Sequence, residues 1–378
     1  MKKQKICIIG DGLAAYASAL MLGNLNIEID LIQKKNKIKK IKDNRSIALS
    51  ENNLLRLSKN FNKSDLKHFW PSKKIDLFNE NYEHFFKFEN NGENIIHITK
   101  NEKFRKIILR KIKKNKQIKI INEKVEKIET DKTIINFERK KKREYDLIIL
   151  CLGENSKILL NLFNRRYIQD DKDEIAFTAF VKHNYNIINP SQYFLKEGPL
   201  AILPLNKKTF SYVWSVDKKF KNYSTKNINQ IILNKFQNIF GKKKFHIQEA
   251  LSFPISFKFS TNLFKQNIFV LGSAWYKVPP LAGQGFNLVL RDIFSLYENL
   301  KKNMSLGIQI KNSIILNDFY SNRKAENFLY GLGINFTQNF FRQNKLTALL
   351  KNGLLKDLKK YTFLKKIGIK IADKGIFN

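Results

Sequence analysis

Apolar positions along this chain follow three different rhythms. Short continuous runs come first: "KICII" at Lys5 to Ile9 and "IEIDLI" at Ile27 to Ile32 read as strands buried on both faces. Between them, Leu13 to Gly23 is Ala-rich with helical spacing, a composition that packs closely on a sheet. "NEKFRKIILRKIKK" then sets Phe104, Ile107, Ile108 and Ile112 on one helical face with lysines and arginines opposite. Two strand-like runs follow, at Val125 to Ile128 and Thr133 to Phe137, before "YDLIILCLG" supplies a further buried strand from Tyr145 to Leu152. From about Ile175 to Phe257 the rhythm changes to alternating, aromatic-rich segments such as "AFTAFVKH", "LAILPL" and "FSYVWSV", joined by Lys/Asn-rich turns, which predicts an antiparallel sheet. "QNIFVLG" returns to the buried-strand pattern, "VPPLAGQGFNLVLRDIFSL" opens a long apolar-periodic helix, and the tail from Ile308 is helical.

This order predicts an α/β fold: a Rossmann-like nucleotide-binding domain, an inserted antiparallel-sheet domain and a helical C-terminal region. The expected parts are 1–60, 95–165 and 262–305 for the discontinuous nucleotide-binding domain, 61–94 and 166–261 for a substrate domain, and 306–378 for the C-terminal region.

Composition changes the picture in one respect. With 43% hydrophobic residues the chain can build a large core, yet 70 Lys+Arg against 33 Asp+Glu leave a net charge of +37. Lysine, asparagine and isoleucine are abundant everywhere, so a bias of the whole composition accounts for the charge as well as an anionic membrane does. Runs such as "IQKKNKIKKIKDNR" lack interleaved aromatics, and no nucleic acid is expected as a partner. Cys7 and Cys151 lie inside apolar runs and read as reduced core thiols of a cytoplasmic protein. The histidines show no ligand spacing, so no metal site is expected. Eighteen uncharged apolar residues never follow one another, which argues against a spanning helix. Surface docking at the inner face of a membrane stays open through Leu349, Leu350, Leu354 and Leu358, which approximate one helical stripe amid lysines.

The chemistry concentrates at glycines. "GDGLAA" places Gly10, Gly12 and Ala15 in a G-x-G-x-x-A pattern between a strand and a helix, with Leu13 and Ala14 opening that helix. Gly10 allows the tight turn, Gly12 lets a pyrophosphate approach the backbone, and Ala15 lets helix pack on strand. At the end of the second strand, where an acidic residue ordinarily holds the adenosine ribose, stands Gln33, which hydrogen-bonds without charge assistance. Downstream, Gly283 and Gly285 follow Pro279 and Pro280 and leave backbone N–H groups uncrowded at a helix start.

"DNRSIALS" at 43–50, "GPLAILPL" at 198–205, "YVWS" at 212–215 and "GSAWYKVPPLAGQGFNLVLRD" at 272–292 together resemble the FAD-dependent aromatic hydroxylases of ubiquinone biosynthesis, a branch of the para-hydroxybenzoate hydroxylase-like flavin monooxygenases. Tyr320, Arg323 and Asn327 add a fainter match in the tail. The resemblance implies an extended FAD, its adenosine diphosphate on Gly10–Ala15 and its isoalloxazine between the two domains. It also implies Arg45 beside the flavin and its ribityl chain, Gly153 in a second flavin-binding segment, and Gly272 and Ser273 near the ribityl or a phosphate. Pro280, Ala282, Gly283, Gln284, Gly285, Phe286 and Asn287, with Leu281, would form the loop and helix start under the flavin pyrimidine. Pro204, Tyr212 and Trp214 are candidates for the substrate-pocket wall or, equally, for core packing. No side chain is assigned as a catalytic acid or base.

The chain departs from that family at two places. Where the family writes Gly-Asp/Asn-Ala-Ala-His, this chain has Gly272, Ser273, Ala274, Trp275 and Tyr276. The family's Ala-Asp-Gly-x-Asn-Ser-x-Val-Arg appears at 151–159 with Gly153, Asn155 and Ser156 kept, and with Leu152 and Leu159 replacing the aspartate and the arginine. The implied activity is hydroxylation of a polyprenylated phenol or quinone precursor in ubiquinone biosynthesis, through a flavin C4a-hydroperoxide, with NADH or NADPH as reductant and molecular oxygen as co-substrate. A ubiquinone-biosynthesis complex and peripheral membrane contact are the implied partners. The eroded second motif leaves a flavin-binding scaffold or a related flavin reductase as the alternative.

Overall fold

The computed structural model describes residues 3–34, 43–138, 140–187, 189–280, 283–341 and 373. Its first sheet has six strands in the order Phe264–Lys265, Ile268–Val270, Leu147–Leu150, Lys5–Ile9, Glu28–Ile32 and Ile118–Ile121. All neighbours run parallel except the outermost Phe264–Lys265. The inner strands are apolar throughout because the sheet is covered, and Ile6, Cys7, Ile8 and Leu147 to Leu150 are fully buried. The helices Leu13–Leu22, Asn101–Lys114 and Gln284–Ser305 pack with one another around the same core. Phe104, Ile107, Ile108 and Ile112 are the buried face of the second of these. A three-stranded meander, Val125–Glu129, Ile134–Phe137 and Lys142–Glu144, is tied to the sheet through buried Asp30, which accepts from Arg143 Nη1 at 3.0 Å and Tyr145 Oη at 2.9 Å.

The second sheet is larger and mostly antiparallel. Its path runs Tyr276–Lys277, Leu251–Thr261, Arg166–His183, Thr209–Asp217, Gly198–Asn206, Ser191–Leu195, Lys74–Phe78 and His84–Glu89, with Phe245–Ile247 pairing beside Arg166–His183. A small sheet of Ser46–Ser50, Ile96–Lys100 and Trp70–Ser72 joins the two.

The 175–257 stretch is not strands and turns alone: Thr225–Phe240 is a helix. Ser224 caps it by accepting from Asn227 N–H at 3.2 Å, and Gly241 ends it. Ile228, Ile232 and Phe236 recur at helical spacing and are fully buried against the large sheet. Both cysteines are free and buried, and burial pushes the Cys151 thiol up to about 12. The C-terminal helix runs Ser313–Phe341; among the described residues no helix is long and apolar enough to cross a membrane. The leucine stripe at 349–358 lies outside the described residues.

Candidate functional site

Parallel pairing in the first sheet aligns Ile9 with both Ile32 and Leu150, and Leu150 with Val270. The residues that follow these strand ends, Gly10, Gln33, Cys151 and Leu271, therefore emerge side by side. Each continues the ladder: Gly10 N–H donates to Ile32 O at 3.0 Å, Cys151 N–H to Ile9 O at 2.8 Å, Leu271 N–H to Leu150 O at 3.0 Å and Gln33 N–H to Ile121 O at 2.9 Å. The connection from Lys5–Ile9 leads to Glu28–Ile32 on one side of that strand, whereas Leu147–Leu150 and Ile268–Val270 lie on the other, which is the switch point at which open parallel sheets bind ligands.

The glycines of this edge serve different ends. Gly10 has φ +152°, and a Cβ there would lie 2.3 Å from the Cys151 carbonyl oxygen, so the fold itself demands glycine. Gly12 caps the helix Leu13–Leu22 with φ −93° and ψ 174°, a conformation open to any residue, and a Cβ would meet nothing within 4 Å. Gly153 likewise faces open space. Among the described residues no side chain caps that helix, so its first N–H groups are left for another acceptor. Gln33 Nε2 is buried and has no hydrogen-bond partner among the described residues. Ala15 is fully buried, and the Ala14 methyl lies 3.0 Å from where a Gly272 side chain would begin, bringing the exposed Ser273 beside the same helix start.

A second turn faces the junction between the sheets. Gly283 has φ +65° and approaches Ala48 so closely that a Cβ would stand 2.9 Å from the alanine methyl. Asn287 fixes this approach. Its Oδ1 accepts from Ser50 N–H at 3.0 Å and Asn53 Nδ2 at 2.9 Å, while its Nδ2 donates to Ala48 O at 2.9 Å. The Asn287 side chain is thus spent within the fold, and its place in the site is to hold the turn. Asn287→Ala is expected to cost about 2 kcal/mol, since several buried groups lose their partner together; urea unfolding midpoints measure it. Gln284 Oε1 accepts from Tyr330 Oη at 3.0 Å, Phe286 stands edge-on to Phe104 at 6.0 Å, and Pro280 and Gly285 are half-buried. Leu281 and Ala282 lie outside the described residues.

Arg45 enters the small sheet at this junction. Its Nε and Nη2 each donate to an Asp43 carboxylate oxygen at 2.8 Å, and Asn101 Nδ2 donates to the same carboxylate at 2.6 Å. Burial alone would raise the Asp43 pKa, but the hydrogen bonds and charge of Arg45 outweigh it and hold the carboxyl below its ordinary value. A carboxyl with a depressed pKa loses its pairing only as pH falls below that of a free aspartate, so the guanidinium stays clamped through neutral pH. Beside the pair is a cleft of about 320 Å³ lined by Asp43, Asn44, Lys100, Phe180 and Gln248 among others.

The three pocket-wall candidates face away from this junction. Pro204 pairs with Phe210 and Ile202 with Tyr212, and Tyr212 and Trp214 are fully buried with Phe236 beneath the helix Thr225–Phe240. Alternation puts their neighbours on the opposite face. Thr178 Oγ1 lies 3.5 Å from Ser211 Oγ, Ser211 pairs with both Phe180 and Leu203, and Leu203 packs against Ala48, Ile96 and Ile98. Sequence reasoning did not single out this face, with Phe180 and Leu203. The helical spacing of Ile228, Ile232 and Phe236 could have revealed a covering helix, though not which face of the sheet it covers.

The family described as "FAD binding domain" matches residues 168–305. The ubiquinone biosynthesis monooxygenase COQ6 of Dictyostelium discoideum is 26% identical over 188 residues, covering 41% of this chain and 38% of that protein. The 3-demethoxyubiquinol 3-hydroxylase of Escherichia coli K12 is 28% identical over 178 residues, covering 44% of this chain and 45% of that protein. The chain thus spans less than half the length of these curated relatives. Among solved structures, the p-nitrophenol 4-monooxygenase PnpA of Pseudomonas putida DLL-E4 superposes with a TM-score of 0.81 at 13% identity over 99% of both chains. Klebsiella pneumoniae HpxO, solved with FAD and uric acid, gives 0.76 at 12% identity over 99% of this chain and 98% of that one. At such identities the structures establish a shared fold.

Proposed function

We propose that this chain, related in sequence and fold to the para-hydroxybenzoate hydroxylase-like flavin monooxygenases, binds FAD and hydroxylates the aromatic ring of a polyprenylated phenol during ubiquinone formation. The observation that carries the reading is Gly12: the fold does not require glycine there, yet it stands at an uncapped helix start on the switch point of a parallel sheet. A diphosphate fits that opening, with helix N–H groups as donors and the positive end of the helix dipole behind them. The orphaned Gln33 amide fits an adenosine ribose hydroxyl, and the open side of Gly153 allows the cofactor to pass. The residues present therefore fit FAD.

Bound there, FAD would supply the oxygen-transfer chemistry, with NADH or NADPH as reductant and molecular oxygen as co-substrate. The chain's own residues bind and orient. Arg45, clamped by Asp43, keeps a fixed positive charge at the junction, and the Gly283–Asn287 helix start offers N–H donors to an electron-rich ring edge. Across the junction, Phe180 and Leu203 make an apolar wall that excludes water, and beneath it the buried Thr178 hydroxyl is spent on the Tyr212 carbonyl oxygen at 2.7 Å, which fixes the strand pairing behind that wall. Release of FAD on denaturing protein purified from flavin-replete cells tests the cofactor. Deleting the gene and identifying the accumulating quinone precursor by mass spectrometry tests the substrate: a polyprenyl phenol lacking one ring hydroxyl is expected, and unchanged ubiquinone in a strain without a redundant hydroxylase would defeat the assignment.

A flavin-binding scaffold or flavin reductase is the second reading, and one observation favours it. Leu159 is fully buried in the main core and Leu152 packs against that core, so neither presents a polar group to a pyridine nucleotide. Reduction of bound FAD by NADPH is accordingly expected to be slow until a phenolic substrate or a partner protein is added. Stopped-flow bleaching measures it, and rapid reduction without either addition would make the two leucines neutral.

A further inference from the structure

Apart from the cofactor edge, the meander and the short helix Lys157–Leu162 enclose a cleft of about 920 Å³. Its floor is apolar, made by Val125, Ile128, Phe137, Ile158 and Leu162. Its rim is basic: Lys124, Lys127, Lys140, Lys142 and Lys157 line it, all exposed, with Glu126 as the carboxylate in the lining. Lys124 pairs with Glu138, and Lys142 lies 3.4 Å from Glu129. Lys127, Lys140 and Lys157 form no ion pair with a described residue. Leu160, on the same short helix, is 59% exposed beside the rim. An apolar floor beneath a rim of five lysines against one lining carboxylate, with a bare leucine at the edge, matches an amphiphile that carries negative charge at its head.

We propose that this cleft and Leu160 form a docking surface for a bilayer containing anionic phospholipid. The lysines meet the phosphodiesters, and Leu160 with the cleft floor receives the first methylenes of the acyl chains. The helix Lys157–Leu162 begins four residues after Gly153, so the contact is continuous along the chain with the cofactor edge. The proposal extends the reading of a lipid-tailed substrate, and it attributes docking to described residues of the nucleotide-binding part, independent of the tail.

Because the whole chain carries +37, attraction to anionic vesicles alone proves nothing about place. The test compares full-length protein with two triple variants of equal charge: Lys127→Gln/Lys140→Gln/Lys157→Gln at the cleft, and Lys207→Gln/Lys208→Gln/Lys244→Gln in the antiparallel-sheet part. Cosedimentation is measured with vesicles of phosphatidylcholine alone and of phosphatidylcholine mixed with phosphatidylglycerol. The cleft variant is expected to lose about 100-fold in partitioning onto the mixed vesicles, and the control less than about threefold. Equal losses in both variants, or none in either, would overturn the proposal. So would displacement by inorganic phosphate beyond that produced by chloride at the same ionic strength, since the lysines would then hold a free anion. Leu160→Ser is expected to weaken the binding that survives high salt; unchanged salt-resistant binding would remove the insertion step. Thermal unfolding of each variant verifies the fold. Vesicle binding is read with and without FAD, so a failure of the cofactor reading leaves this result intact.

Discussion

Replacing Gly12 with valine is expected to leave the protein folded while lowering its FAD affinity on the order of 100-fold, about 2.7 kcal/mol. The valine methyls would clash with the ligand and not with the protein. Gly12 has an extended backbone that valine adopts readily, and no protein atom lies within 4 Å of a Cβ built there. The stability loss should therefore stay within about 1 kcal/mol, the difference between glycine and a β-branched residue at a helix N-cap. A diphosphate resting on the helix start would occupy the space the valine methyls take. Gly10→Ala supplies the contrast: its Cβ would lie 2.3 Å from the Cys151 carbonyl oxygen, so that variant should lose stability whether or not FAD is present. Isothermal titration with FAD, alongside urea unfolding of the apoprotein, separates the two effects. Normal FAD binding by Gly12→Val would mean that the diphosphate lies elsewhere.

That contrast also marks how far the sequence could be read. The strand, glycine turn, helix and strand from Lys5 to Ile32 were legible because each has a local cause: β-branched runs, a glycine at positive φ, and an Ala-rich helix. The long helix after Gly283 was legible for the same reason. Which of two glycines in one motif serves the fold and which leaves room was not legible, since it depends on the Cys151 carbonyl, 141 residues after Gly10 in the chain. Tyr212 and Trp214 show a second limit. Their alternation places them on one face, but neither period two in the strands nor helical spacing in the covering helix Thr225–Phe240 says which face of the sheet that helix will cover. Asn287 shows a third: its partners Ala48, Ser50 and Asn53 lie more than two hundred residues earlier, so the sequence marks the turn and the structure identifies what holds it.

The other large effect is expected at Arg323. Asp292 is fully buried and accepts from Arg323 Nε at 2.7 Å, Asn327 Nδ2 at 2.8 Å and Tyr276 Oη at 2.5 Å. Arg323 also pairs with buried Glu326, so one buried guanidinium serves two carboxylates, and the buried Arg291 guanidinium lies 4.6 Å from the Tyr330 ring centre. Burial raises the Asp292 pKa, with Arg323 as the main opposing influence. Arg323→Met removes that influence and leaves an uncompensated buried charge, which should destabilise the protein by about 3–5 kcal/mol. The sign of the pH dependence follows. An acid whose folded pKa is raised above its unfolded value opposes folding increasingly as pH climbs from the unfolded value to the folded one. The deficit of Arg323→Met should thus grow from mildly acidic to neutral pH, whereas a mere packing defect would leave it flat. Adding Asp292→Asn and Glu326→Gln should recover part of the loss, and the cycle of variants measures the coupling. Because Tyr276 lies shortly before the turn that Gly283 closes, and Asp292 lies on the helix that Gly283 starts, the single variant should also bind FAD more weakly. Chemical denaturation across pH, with FAD titration at neutral pH, checks both parts; a pH-independent deficit with normal FAD affinity would reduce the cluster to ordinary packing.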